Sequence, residues 1–167
     1  LRVWNLGYNV LWMDEGSYIN AGLIGEFPTW VSGLLYLPVV GWFVNLAMGI
    51  GFGPAVSARF LNVIFGTITI FFVYKIAQFF SPKLTSSKTK AKWIPIFSAL
   101  LFTLSPGPWF ISRYAVYDAM SYMLFALGLL PFFKGLERNK TSYLWGASIL
   151  FILSFATKYV TLIYFPI

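Results

Sequence analysis

Apolar residues run along this chain in long blocks, neither alternating nor confined to one helical stripe. Four blocks, 55–80, 93–112, 115–133 and 142–165, each hold roughly 19 residues or more, enough at ~1.5 Å per residue to cross a ~30 Å hydrocarbon core. A segment crossing lipid must satisfy its own backbone polar groups, so all four are predicted as helices. The polar positions punctuate the blocks unevenly. "SPKLTSSKTKAK" carries Lys83, Lys88, Lys90 and Lys92 and no acid, and "KGLERNK" carries Lys134, Arg138 and Lys140 against Glu137. Basic loops stay in the cytoplasm. Residues 1–54, the segment 105–117 around "SPGP" and the C-terminal end are therefore expected at the outer face. By the same topology the sequon "NKT" at 139–141 lies in the cytoplasm and is a chance match.

The block 30–50, "WVSGLLYLPVVGWFVNLAMGI", leaves two readings open. It is long enough to cross. Pro38, Gly33 and Gly41, the anchors Trp30 and Trp42, and the lack of a charged flank at its start equally suit a helix lying in the outer interface.

Composition strengthens the membrane reading. Of 167 residues, 59% are hydrophobic and 10% charged, against about 25% charged in soluble domains, and the mean hydropathy is +0.75. The formal net charge of +7 would suggest nucleic acid in a soluble protein. Here the basic loops account for it, and no nucleic-acid partner is expected. There is no Cys and no His, which excludes disulfides, thiolate metal sites and the commonest general base. Acid–base chemistry is left to Asp14, Glu15, Glu26, Asp118 and Glu137, helped by Lys, Arg or Tyr. The chain opens on Leu and stops at "YFPI" just past an apolar run. It is expected to be part of a longer membrane protein, with one earlier span and a C-terminal part outside it.

The predicted outer boundary gathers Asp14, Glu15, Glu26, Arg59, Arg113, Asp118 and Lys158. Asp118 is expected in the first turn of an outside-to-inside helix, where the dipole favours its ionised form, with Arg113 five residues earlier in reach. Lys158 lies in the last turns of the final block and Arg59 one turn into the first. Ionisable groups within membrane segments are functional candidates. The plainer alternatives are snorkelling for Lys158, an interfacial anchor or a partner for an acid for Arg59, an exposed loop pair with no role for Asp14 and Glu15, a helix-end charge for Asp118, and an ordinary loop residue for Glu26. Trp12, Tyr18, Trp30, Tyr36 and Trp109 near this face read more readily as an aromatic belt than as a sugar platform.

Four stretches in order carry a family resemblance. "DEGSYINAG" holds Asp14, Glu15, Tyr18 and Ala21 or Gly22, and "GPAVSARFLNVIFGTITI" holds Arg59 and Gly66. "LSPGPWFISRYAVYDAMSYMLFAL" holds Pro106, Arg113 and Asp118, and "SFATKY" holds Lys158. Together, over nearly the whole chain, they resemble the C-class integral-membrane glycosyltransferases, in particular the protein O-mannosyltransferase and lipid A aminoarabinose transferase-like group. "EFPTWVSGLLYLP" departs from the pattern, lacking the basic residue and paired prolines that many members have there.

The resemblance implies an all-α fold, a polytopic transmembrane helical bundle with 1–29 as an outer loop and 30–50 as an outer-face juxtamembrane helix. Residues 1–167 would form the N-terminal part of one such domain. It implies transfer of a sugar from a polyprenyl-phosphate donor, with inversion, to a hydroxyl of a protein or glycolipid acceptor outside the cytoplasm. Asp14 would be the general base. Glu15 and Asp118 would orient acceptor or base, Lys158 and Arg59 would bind the donor phosphate, and Arg113 and Tyr18 would orient the acids. The reading leans against a metal, although a divalent Mg²⁺ or Mn²⁺ would suit paired carboxylates. Two other readings stay open: a transporter or channel-like protein using these charges as an ion path, and an inactive member serving as an assembly subunit.

Overall fold

The computed structural model describes residues 6–7, 13–25 and 35–158. Among them the chain is all α-helical and polytopic, with no strand. The order is α1 (Met13–Ile24), α2 (Tyr36–Gly49), α3 (Pro54–Leu84), α4 (Lys88–Leu104), α5 (Pro106–Ile111), α6 (Asp118–Arg138) and α7 (Thr141–Thr157). Residues 26–34, with Glu26 and Trp30, lie outside the described residues, as do Trp12 and 159–167, the end of the fourth apolar block.

Two helices are long and apolar enough to cross a membrane, α3 and α6. With 31 and 21 residues they span about 46 and 31 Å. The first block thus extends beyond 55–80 at its C-terminal end. The second block, 93–112, divides. Its helix starts earlier, at Lys88, where the Ser87 side chain caps the Lys90 N–H. It stops at Leu104, because Ser105 is extended and Pro106 opens a new helix, a position that suits a residue with no N–H to donate. The third block gains its length at the opposite end from the one expected. Residues 115–117 form a turn, and α6 continues past Phe133 to Arg138. Asn139 ends it in the left-handed conformation (φ 50°), which Asn tolerates better than most residues. A backbone requirement therefore explains the Asn of "NKT".

The helices form an up-and-down bundle in which α3 packs on α4 and α6, α6 on α7, and α1 on α2, which in turn leans on α3. At one end Lys83 pairs with Glu137 at 2.7 Å, and Phe133 packs on Phe79 and Phe80. The two Lys-rich connections therefore share that end. The starts of α3 and α6 share the other end with the finish of α7, where Ser121 and Ser154 exchange hydrogen bonds across α6 and α7. The main core lies there too, built from Tyr36, Leu37, Val40 and Val44 of α2, Ala58, Leu61 and Phe65 of α3, and Ala119, Met120 and Leu124 of α6.

The outward surface is apolar. In α4 only Pro95 is buried, while Trp93, Phe97, Leu101 and Leu104 are exposed, as are Trp145, Ile149 and Ile152 of α7. Water would not tolerate such a continuous face; lipid or further apolar helices do. The α1–α2 pair is set by glycines. A Cβ on Gly41 would stand 2.0 Å from the Gly22 carbonyl oxygen, so these helices meet backbone to backbone. Gly41→Ala is expected to cost about 1–3 kcal/mol through overpacking, read as a lower unfolding temperature in detergent. Gly146→Ala, where nothing lies within 4 Å, should leave it unchanged.

Candidate functional site

Asp14 and Glu15 stand side by side in the first turn of α1, where the helix dipole favours negative charge. Successive residues on a helix point about 100° apart, so the two carboxylates cannot share one environment. Glu15 turns inward and is completely buried, whereas Asp14 is exposed.

The Glu15 carboxylate grips Arg59 of α3 with two parallel bonds. Nε donates to Oε1 at 2.9 Å and Nη2 to Oε2 at 2.8 Å. The remaining arm, Nη1, donates to the Leu6 carbonyl at 2.6 Å. Oε1 also accepts the Ala115 backbone N–H at 2.7 Å. One buried anion therefore ties together α1, α3 and the turn before α6. One turn beyond Arg59, the buried Asn62 amide donates to the carbonyls of Tyr114 and Val116, at 2.5 and 2.6 Å. Three consecutive residues, 114–116, are thus held by side chains from two other helices. Behind them, the Tyr36 hydroxyl and the Asn62 Oδ1 are buried without a well-formed hydrogen bond, and burial pushes the Tyr36 hydroxyl pKa well above the ordinary tyrosine value.

The held turn delivers Tyr117 and Asp118 to the open side of the same end. Asp118, the first residue of α6, forms an ion pair with Lys158, which caps the end of α7. The Lys158 ammonium also lies 5.5 Å from the centre of the Tyr117 ring, within cation–π range. Tyr117 meets Tyr18 edge-on at 5.1 Å, and Tyr18 meets Tyr36 edge-on at 6.3 Å. Burial, above all, raises the Tyr18 hydroxyl pKa well above the ordinary tyrosine value; its hydrogen bond with Tyr117 and the charges of Asp14 and Asp118 add to the rise. Tyr18 is therefore a neutral hydroxyl at any physiological pH. Asp14 and Tyr18, four residues apart, lie on one face of α1.

The residues singled out from the sequence thus fall into two groups. Asp14, Tyr18, Asp118 and Lys158 gather on the accessible side, while Glu15 and Arg59 are locked together beneath it. Arg59, expected to meet a donor phosphate, is 3% exposed and directed at Glu15 and Leu6. Arg113, expected to orient Asp118, places its guanidinium 4.8 Å from the centre of the Trp109 ring, and the ion pair of Asp118 is with Lys158. Asn62 and Tyr117 were not foreseen. An Asn inside an apolar block is a detectable signal, since its amide must find partners there. Among the described residues no group of three or more metal-ligating side chains gathers.

Removing one partner of a buried ion pair strands the other charge, at a cost of roughly 3–5 kcal/mol. Glu15→Gln and Arg59→Met should each lower the unfolding temperature markedly. The double change to apolar residues of similar volume should recover much of that loss, with thermal unfolding in detergent as the measurement. Equal losses in the singles and the double would remove the pair from this role.

Residues 36–167 match the family described as dolichyl-phosphate-mannose-protein mannosyltransferase. The matched segment carries Arg59, Asn62, Arg113, Asp118 and Lys158 and begins after the Asp14–Glu15 pair. A protein of Aquifex aeolicus (strain VF5), described as an uncharacterized protein, is 30% identical over 171 residues, covering 95% of this chain and 32% of its own length. The chain therefore spans about a third of the length of the curated relative it matches. No solved structure matches. With a polytopic, apolar-faced helical bundle and a family match over most of its length, this chain belongs to the dolichyl-phosphate-mannose-protein mannosyltransferase family of membrane proteins.

Proposed function

We propose that the complete protein transfers a sugar from a polyprenyl-phosphate donor to a hydroxyl of a protein or glycolipid acceptor, at the membrane face opposite the Lys-rich loops. The observation that carries this reading is the gathering of Asp14, Asp118 and Lys158 at the ends of their helices, with Tyr18 one turn along α1, on one side of the bundle. A donor with a lipid tail reacts at a bilayer surface, so its chemistry calls for charges at helix ends. Charges at mid-membrane would have suited a transporter.

In this reading Asp14 takes the proton of the acceptor hydroxyl, whose oxygen attacks the anomeric carbon with inversion. The bond from that carbon to the phosphate oxygen breaks, and the lipid phosphate leaves with the electron pair. Lys158 stabilises its charge, an interaction strengthened where water is excluded. An ammonium has three N–H donors, so pairing with Asp118 does not exhaust them. Asp118 holds Lys158 in place, and the neutral hydroxyl of Tyr18 fixes the relation between the two aspartates. We assign Glu15 and Arg59 to bracing rather than to substrate. The basic loops support a cytoplasmic position for the opposite end and hence an outward-facing site.

In the complete protein, Asp14→Asn should lower transfer by a factor on the order of 10²–10⁴ while the unfolding temperature stays unchanged, because Asp14 is exposed. Lys158→Met should reduce the rate of transfer more than acceptor binding. Near-normal turnover of the Asp14→Asn protein with lipid-linked sugar would exclude Asp14 as the base.

A further inference from the structure

At the Lys-rich end, α3 and α6 enclose a second feature, remote from the charge cluster. A pocket of about 310 Å³ opens between them. Lys75, Gln78 and Lys134 form its polar wall, and Phe72, Phe79 and Leu130 are among its apolar lining. Its place in the bundle follows from the helices that line it. Lys75 lies in the last third of α3 and Lys134 in the last third of α6. Lys134 follows Phe133, whose ring lies against Phe79 and Phe80, so it stands about one turn closer to the Lys-rich connections than Lys75 does. The two lysines therefore lie toward the Lys-rich end of the bundle, with apolar side chains beside them.

The charge balance of the pocket is unequal. Lys83, close by, is neutralised by Glu137 and rests on the Phe79 ring at 3.8 Å. Lys75 reaches only the Gln78 amide oxygen, at 3.3 Å, and the rings of Phe71 and Tyr74. Neither Lys75 nor Lys134 has a carboxylate partner among the described residues, and the acid nearest in sequence, Glu137, is already taken. Two half-buried, uncompensated cations beside an apolar hollow at the Lys-rich end call for an amphiphilic anion.

We propose that this pocket binds an anionic phospholipid of the leaflet facing the Lys-rich loops, its phosphate between Lys75 and Lys134 and an acyl chain along Phe72, Phe79 and Leu130. The site is separate from the sugar-transfer reading and does not depend on it.

The test is native mass spectrometry of the complete protein, titrated in detergent with phosphatidylglycerol or phosphatidylcholine. Wild type should retain phosphatidylglycerol preferentially. Lys75→Gln with Lys134→Gln should weaken that retention by roughly fivefold per lysine, or on the order of 25-fold together. Lys75→Arg with Lys134→Arg should keep it. Lys88→Gln with Lys90→Gln, the same charge change in the exposed loop, should leave it intact, and circular dichroism should be alike in all four proteins. Equal loss in the pocket and loop variants would overturn the proposal in favour of diffuse attraction. Equal retention of phosphatidylcholine, or displacement by free glycerol phosphate at matched concentration, would also overturn it, the latter in favour of a soluble anion.

Discussion

Glu15 carries a full negative charge where water does not reach, and that condition organises the end of the bundle around it. A buried carboxylate is tolerated only when its oxygens are occupied by strong donors. Here the donors come from the guanidinium of Arg59 and the backbone N–H of Ala115, on an adjacent helix and on the turn that launches another. Because neither charge can stay unpaired, α1, α3 and the start of α6 cannot drift apart independently. Asn62 extends the hold to the carbonyls on either side of Ala115.

The consequence is felt one residue position away in each direction. Beside Glu15, helical rotation turns Asp14 out. Beyond the held turn at 114–116, the chain presents Tyr117 and then Asp118, and the finish of α7 supplies Lys158. The accessible groups thus sit on a rigid base. Of the two neighbouring acids, Glu15 serves the frame and Asp14 is exposed.

The two ends of the bundle are chemically unlike. One gathers carboxylates, tyrosines and a paired lysine. The other gathers lysines, of which Lys83 is balanced by Glu137. Between them the outward faces of α4 and α7 are apolar. This polarity along the helix axes leaves distinct chemistry at each end of the bundle.

Much of this was legible from the sequence. Blocks of apolar residues announce helices in lipid because an unsatisfied backbone has no alternative there, and the clustering of Lys in two connections announces which ends lie together. The four ordered stretches from "DEGSYINAG" to "SFATKY" pointed to the family. Helix boundaries were less legible: Pro106 divided the second block, and α6 took its length beyond Phe133. The packing partners of Glu15, Arg59 and Arg113 were decided only by tertiary structure. Sequence lists which charges exist, but a charge's function depends on which partner it meets and whether water can reach it. Those are properties of packed helices, set between residues 44 to 100 positions apart.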